Sequence, residues 1–143
     1  MFSLLVRDVM DREKALTLPS DTTVSRAAEL MARKNIGAVM VVDQERLAGI
    51  FTERDALFRV IAPGLDARTT RLAEVMTPDP RTVDPDKSYG YALVMMQENG
   101  FRHTPVIENG TPIGIVTSRN AMDPELEEFL SEENRREYIR AGK

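Results

Sequence analysis

The chain contains no cysteine and only one histidine, His103. The first absence excludes disulfides, thiolate metal sites and thiol catalysis. The second leaves at most one centre for a histidine-based dyad or triad and rules out a zinc site with several histidine ligands. Basic residues are also in short supply, 19 Lys and Arg against 23 Asp and Glu, which gives a formal charge of −4. With a pI near 5.1 the cationic footprint of a nucleic-acid binder is missing. No apolar run approaches the roughly 18 residues that suggest a membrane span. Residues 1–11 mix apolar side chains with Arg7 and Asp8 and do not look like a signal peptide. There is no Gly-x-Ser-x-Gly, no P-loop and no metal-ligand spacing. The expectation is a soluble, cytoplasmic protein that is not an enzyme, with no catalytic residue, no metal, no required cofactor, and neither nucleic acid nor membrane as a partner.

What is present is a repetition. GIFTERD, at 49–55, returns 65 residues later as GIVTSRN, at 114–120. The same shift aligns 16–55 with 81–120 without a gap, and nine of those 40 positions are identical: Thr17/Thr82, Asp21/Asp86, Ala27/Ala92, Met31/Met96, Val41/Val106, Gly49/Gly114, Ile50/Ile115, Thr52/Thr117 and Arg54/Arg119. The lead-ins Asp8-Val9-Met10 and Glu74-Val75-Met76 match as well, at a shift of 66.

Each copy predicts the same elements. A short extended piece at Thr17-Leu18 or Thr82-Val83 precedes apolar residues at helical spacing, Val24, Ala27, Ala28, Leu30 and Met31 in one copy and Tyr89, Ala92, Leu93, Met95 and Met96 in the other. Asp21 or Thr22, and Asp86, are the expected N-caps; Asn35 and Asn99-Gly100 stand where the helices should stop. The methionines read as core filling. Two apolar runs around a polar turn then predict a hairpin, with Asn109-Gly110 a strong turn signal in the second copy. A second helix begins at Ala56, Leu57, Val60 and Ile61. The unit is thus strand, helix, strand, strand, helix in about 55 to 60 residues, near the lower limit of what folds alone, so two units packed together bury what neither can cover.

At the end of each hairpin, Thr52 with Asp55 and Thr117 with Asn120 allow two readings. The hydroxyl and the short polar side chain can cap the helix start. The same open N–H groups can also cradle a ligand phosphate.

Two such units, each entered by Val-Met and closed by G-h-h-T-x-x-[DN] with h apolar, resemble a tandem pair of cystathionine-β-synthase-type (CBS) domains, a Bateman module. Arg102-His103-Thr104-Pro105-Val106 resembles that family's basic pair followed by x-Pro-Val. The resemblance spans roughly 6–122 and implies an α/β (α+β) fold: two β-α-β-β-α units packed face to face through their sheets as a pseudo-two-fold disk. The division expected is 1–62 for the first unit, 63–71 for a linker, 72–122 for the second unit and 123–143 for a C-terminal helical tail. Asp123-Pro124 is a good helix start there, acidic residues come early and Arg135, Arg136, Arg140 and Lys143 late. Its apolar stripe of Leu126, Phe129, Leu130, Tyr138 and Ile139 is narrow, and what it packs on stays open.

By resemblance, the clefts between the units bind an adenosine-containing ligand: AMP, ADP, ATP or S-adenosylmethionine. Asp55 and Asn120 take the ribose, and Asn120 departs from the family's acid, which loses charge assistance. Thr52 and Thr117 take the phosphate, joined by Arg102 and His103 and by Arg54 and Arg119; Thr17 and Thr82 lie near the base. Arg102 and His103 occur only in the second repeat, where the first has Gly37-Ala38, and Glu53 reads as a surface residue. The function implied is a non-catalytic sensor, forming a homodimer and acting in trans on an effector protein. The alternative is an interaction module that keeps the fold and binds no ligand.

Overall fold

Two hairpins, related by the repeat, form the centre of the molecule; the computed structural model describes residues 4–13 and 15–120. In the first hairpin β2 (Ala38–Asp43) and β3 (Arg46–Thr52) pair antiparallel, following β1 (Thr17–Leu18), which lies parallel to β2. In the second, β5 (His103–Glu108) and β6 (Thr111–Thr117) keep the same register, from His103 opposite Thr117 to Glu108 opposite Thr111. A single bridge from Val83 to Val106 stands in for the first strand of that repeat. Asn109 and Gly110 both have positive φ, 53° and 80°, as a two-residue primed turn requires. Gln44 and Glu45 adopt the same turn at 52° and 66° without a glycine.

The long helices are α2 (Val24–Lys34) and α5 (Tyr89–Asn99). Their N-caps fall one or two residues beyond the expected Asp21 or Thr22, and two beyond Asp86. Thr23 accepts from the Arg26 amide and Ser88 from the Tyr91 amide, because Val24 and Tyr89, both buried, begin the helical spacing and the residue just before them must cap. Asp86 is instead paired with Arg7. The C-terminal signals hold: Asn35 and Gly100 end the two helices in the left-handed conformation. Met31 and Met96 are core residues and Met95 packs at its edge.

A short turn of helix, α3 (Glu53–Asp55), continues as a π-helical stretch, Ala56–Ile61, that ends the first repeat. Val60 alone of that stretch is buried, while Leu57, Phe58 and Ile61 are exposed. The residues after it form a strap, with Ala67 and Thr70 carbonyls accepting from the Ser25 and Val24 amides at the start of α2. The tail, 123–143, lies outside the described residues. Among the described residues no helix is long and apolar enough to cross a membrane.

The repeats exchange their lead-ins. Ahead of the first repeat, α1 (Val6–Val9) packs on the second: Val6 and Met10 join Val83, Tyr89, Ala92, Met96, Val106 and Val116 in one core. Ahead of the second repeat, α4 (Leu72–Val75) packs on the first, where Leu72 and Val75 join Val24, Ala27, Met31, Val39, Val41, Phe51 and Val60. The hydrogen bonds are matched. The Val6 amide donates to Lys87 O and the Leu72 amide to Thr22 O; Asp8 and Glu74 each accept from the amide three residues earlier. Val6 and Leu72 are fully buried, each contributing about 1.5–3 kcal/mol by area removed from water.

Beyond α4, β4 (Thr77–Pro78) extends the first sheet to the order β1-β2-β3-β4, with Thr77 opposite Ile50. Asp11 opposite Ile115 repeats this on the other side. Gly49 and Gly114 lie under these crossings. A Cβ on Gly49 would stand 2.6 Å from Met76 Sδ and 2.7 Å from Thr77 O. A Cβ on Gly114 would stand 3.0 Å from Met10 Sδ and 3.1 Å from Asp11 O. The two sheets meet through Ala38, Ile50 and Ile115, with Ala15 beside them.

Candidate functional site

The end of each hairpin carries a Thr-x-x-[Asp/Asn] sequence, and the first forms a complete reciprocal cap. Thr52 Oγ1 accepts from the Asp55 amide at 3.2 Å, and the Thr52 amide donates to Asp55 Oδ2 at 3.0 Å. The Thr52 hydroxyl lies 3.2 Å from the same carboxylate oxygen. Asp55 is only 8% exposed, an unusual state for a carboxylate, and its second oxygen faces Arg59 Nε at 3.5 Å. Thus one face of the carboxylate is fixed by its own turn and the other is held loosely by one cation.

The second copy is built differently. Asn120 Oδ1 accepts from the Thr117 amide, which reproduces half of the cap, but Thr117 Oγ1 accepts from Arg119 rather than from residue 120. Tyr89, fully buried, donates its hydroxyl to Thr117 O at 2.8 Å, a bond that Val24 in the first repeat has no means to make. Thr117 is therefore anchored from below by the helix of its own repeat.

The start of the second hairpin lies beside the first repeat's motif at the junction between repeats. The amides of Glu53 and Ser118 donate to the carbonyls of Gly37 and Arg102, at 2.9 and 3.2 Å, so each motif is tied to the start of its hairpin. A Cβ on Gly37 would lie 3.1 Å from Glu53 Oε1 and 3.4 Å from His103 Nε2. The first repeat's carboxylate and the second repeat's imidazole thus flank one glycine. Burial is the main cause holding the His103 pKa below its ordinary 6.5; Glu53 opposes that effect and Arg102 adds to it. Glu53 is exposed, in keeping with its sequence reading, yet its carboxylate points into this junction.

The remaining candidates are spread around this centre. Arg102 is exposed and shares with Ser118, Leu93, Met96 and Phe101 a groove of about 850 Å³ along α5. Thr82 lines a separate cleft of about 300 Å³ at the hairpin tips, with Arg46, Asp79 and Ile107. Thr17 lies exposed on β1 opposite Met40. The Arg54 guanidinium stands 4.6 Å over the Phe58 ring, a cation–π contact along its own helix. Arg119 is exposed, contributing its backbone amide to Thr117.

Residues 6–62 and 72–124 match the CBS domain. The chain belongs to the CBS domain family. As a pair of such domains it is 35% identical over 129 residues to the mitochondrial CBS domain-containing protein CBSX3 of Arabidopsis thaliana, covering 86% of this chain and 63% of that one. Meiotically up-regulated gene 70 protein of Schizosaccharomyces pombe is 41% identical over 103 residues, 71% of this chain. The chain spans only 14% of that protein's length. Among solved structures, a conserved protein from Pyrococcus horikoshii superposes with a TM-score of 0.80 at 26% identity, covering 87% of this chain and 94% of that one. The CBS domain pair of protein MJ0100, solved in complex with 5′-methylthioadenosine and S-adenosyl-L-methionine, gives a TM-score of 0.73 at 25% identity, covering 87% and 97%. The CBS pair is therefore the architecture of this chain, and the α+β pair that the resemblance implied is the fold observed among the described residues.

Proposed function

We propose that this CBS pair is a non-catalytic sensor that binds an adenosine-containing ligand at the junction between its repeats and reports occupancy through a change in shape or assembly. The observation that carries the reading is Asp55: a buried carboxylate, pre-set by Thr52, whose second oxygen is held only loosely by Arg59. A carboxylate held this way offers acceptors to a ribose diol, while Thr52, Thr117, Arg102, His103, Arg54 and Arg119 supply donors for a phosphate or its replacement. Thr17 and Thr82 serve the base. The MJ0100 complex with two adenosine derivatives supports this ligand class. A ligand shifts a conformation only through different affinity for its two states. At about 100 times its dissociation constant it stabilises the bound state by about 2.7 kcal/mol.

The test is a thermal-shift panel of AMP, ADP, ATP, S-adenosylmethionine and NAD on the full chain. At least one adenosine compound raises the melting temperature, and Asp55→Ala diminishes the shift more than Asn120→Ala. A panel without any shift defeats the reading. One observation favours the second reading, an interaction module: the Asp55 carboxylate already has Thr52 and Arg59 as partners and caps its helix without a ligand. In that case both variants lower stability and no nucleotide response exists to be altered. In either reading the exposed Leu57, Phe58 and Ile61 are the surface on which a second copy packs, and the effector is a separate protein in the cytoplasm.

A further inference from the structure

We propose that Arg59 is a positioning residue that ties the Asp55 carboxylate to the lead-in of the second repeat, so that a ligand's hydroxyl groups arriving at Asp55 are felt at 72–78; this rests on the adenosine-binding reading. Three contacts carry it. Arg59 Nε lies 3.5 Å from Asp55 Oδ1, the oxygen that Thr52 does not engage. Arg59 Nη1 donates to Met76 O at 3.2 Å and stands 3.5 Å from Val75 O. Those carbonyls close the last turn of α4, where backbone acceptors lack helical partners and a cation is well placed.

One guanidinium therefore joins two segments of the same core, the first repeat's motif and the lead-in that packs on it. On one side is the carboxylate that ends the first repeat's motif. On the other is the chain that leads directly into β4, where Met76 and Thr77 press on Gly49 and Thr77 pairs with Ile50. The planar fork of arginine can serve both partners at once, which a lysine point charge cannot. Asp55 Oδ1 is the oxygen a ribose diol can take with least disturbance, since its existing contact is the longer one. A diol there competes with Arg59 Nε, and the guanidinium re-settles relative to the Val75 and Met76 carbonyls. At the 65-residue shift Arg59 corresponds to Pro124, a residue with no side-chain donor.

The experiment is hydrogen exchange of the amides in 72–78 on the full chain, with the β2 amides as an internal control, for wild type, Arg59→Met, Arg59→Lys, Asp55→Asn and the Asp55→Asn/Arg59→Met double variant. Arg59→Met keeps the apolar stem, and Asp55→Asn installs the second repeat's residue, so both preserve the fold. Without ligand, Asp55→Asn speeds exchange in 72–78 by about threefold in the wild-type background and has no further effect once Arg59 is Met, the non-additivity of a coupled pair. Arg59→Lys restores little of the effect. With saturating AMP or S-adenosylmethionine, exchange in 72–78 changes in wild type and stays flat in Arg59→Met, which still binds. If a compound binds wild type and 72–78 does not respond, or responds equally in Arg59→Met, the coupling is overturned while the sensor reading stands. If no adenosine compound of the panel binds, the sensor reading fails; additive ligand-free effects of the two substitutions overturn the Asp55–Arg59 link by themselves.

Discussion

Thr104 occupies the place of Val39 in the first repeat, on a strand whose neighbours are apolar, and its fully buried Oγ1 has no hydrogen-bond partner among the described residues. A buried hydroxyl without a partner costs about 1–3 kcal/mol. Thr104→Val is therefore expected to stabilise the chain by ~1 kcal/mol, read as a higher urea midpoint at unchanged slope; a lower midpoint would mean that the hydroxyl has a use. His103 gives a pH dependence. Its folded-state pKa lies below the ordinary 6.5, so below that pH the unfolded chain takes up a proton that the folded chain refuses. Its contribution is present above 6.5 and is lost as the pH falls towards the lowered folded value. Wild type should lose more stability between about pH 7.5 and 5.5 than His103→Gln, whose carboxylates titrate alike. Equal losses in the two chains would remove His103 as the cause. Of these residues the sequence disclosed the type and not the surroundings. His103 was visible as a lone imidazole beside Arg102, but its approach to Glu53 and Gly37 brings together residues 50 and 66 positions apart. Asp55 and Arg59 are four apart, a spacing at which helical side chains meet, so half of that link was legible; its grip on Val75 and Met76 was not.

Among the elements, hairpins and helix ends were the legible part, because their signals are local. Asn109-Gly110 selects its turn, and Asn35 and Gly100 tolerate the left-handed conformation in which each helix stops. The N-caps were displaced by one or two residues, since Asp21, Thr22 and Thr23 are all competent caps and packing of Val24 makes the choice. The exchange of lead-ins was illegible for a different reason. Their apolar residues show that α1 and α4 must pack, but each four-residue helix matches either repeat equally well. The crossing it produces explains the first residue of the shared motif. Gly49 permits Met76 and Thr77 to approach, and Gly114 does the same for Met10 and Asp11, with more room. Gly49→Ala should destabilise by ~2 kcal/mol and Gly114→Ala by ~1 kcal/mol, in the range for overpacking. Denaturant melts in the reverse order would break the account, because a Met sulfur and a backbone carbonyl oppose the new Cβ at both sites and both stand closer at Gly49.

For the whole molecule, exposed apolar side chains among the described residues include a group on the π-helical stretch. Leu57, Phe58 and Ile61 are 50%, 53% and 67% exposed on a stretch that contributes only Val60 to the core. Contiguous exposed apolar side chains mark association surfaces more often than lone ones do. Sedimentation should give a homodimer, and Ile61→Glu should halve the mass while leaving the hairpin cores intact by near-unchanged far-UV circular dichroism. A wild-type monomer, or a dimer that survives Ile61→Glu, would assign this face to something else. The crossed lead-ins bear on how the molecule can be divided. Cut between Gly64 and Leu65, the chain would yield two fragments, each holding the plug for the other's core and missing its own. Neither should fold alone, yet mixed together they should reconstitute the pair. Each half of the chain is thus a lock whose key is cut into the other half, so the link between them can be severed without parting them.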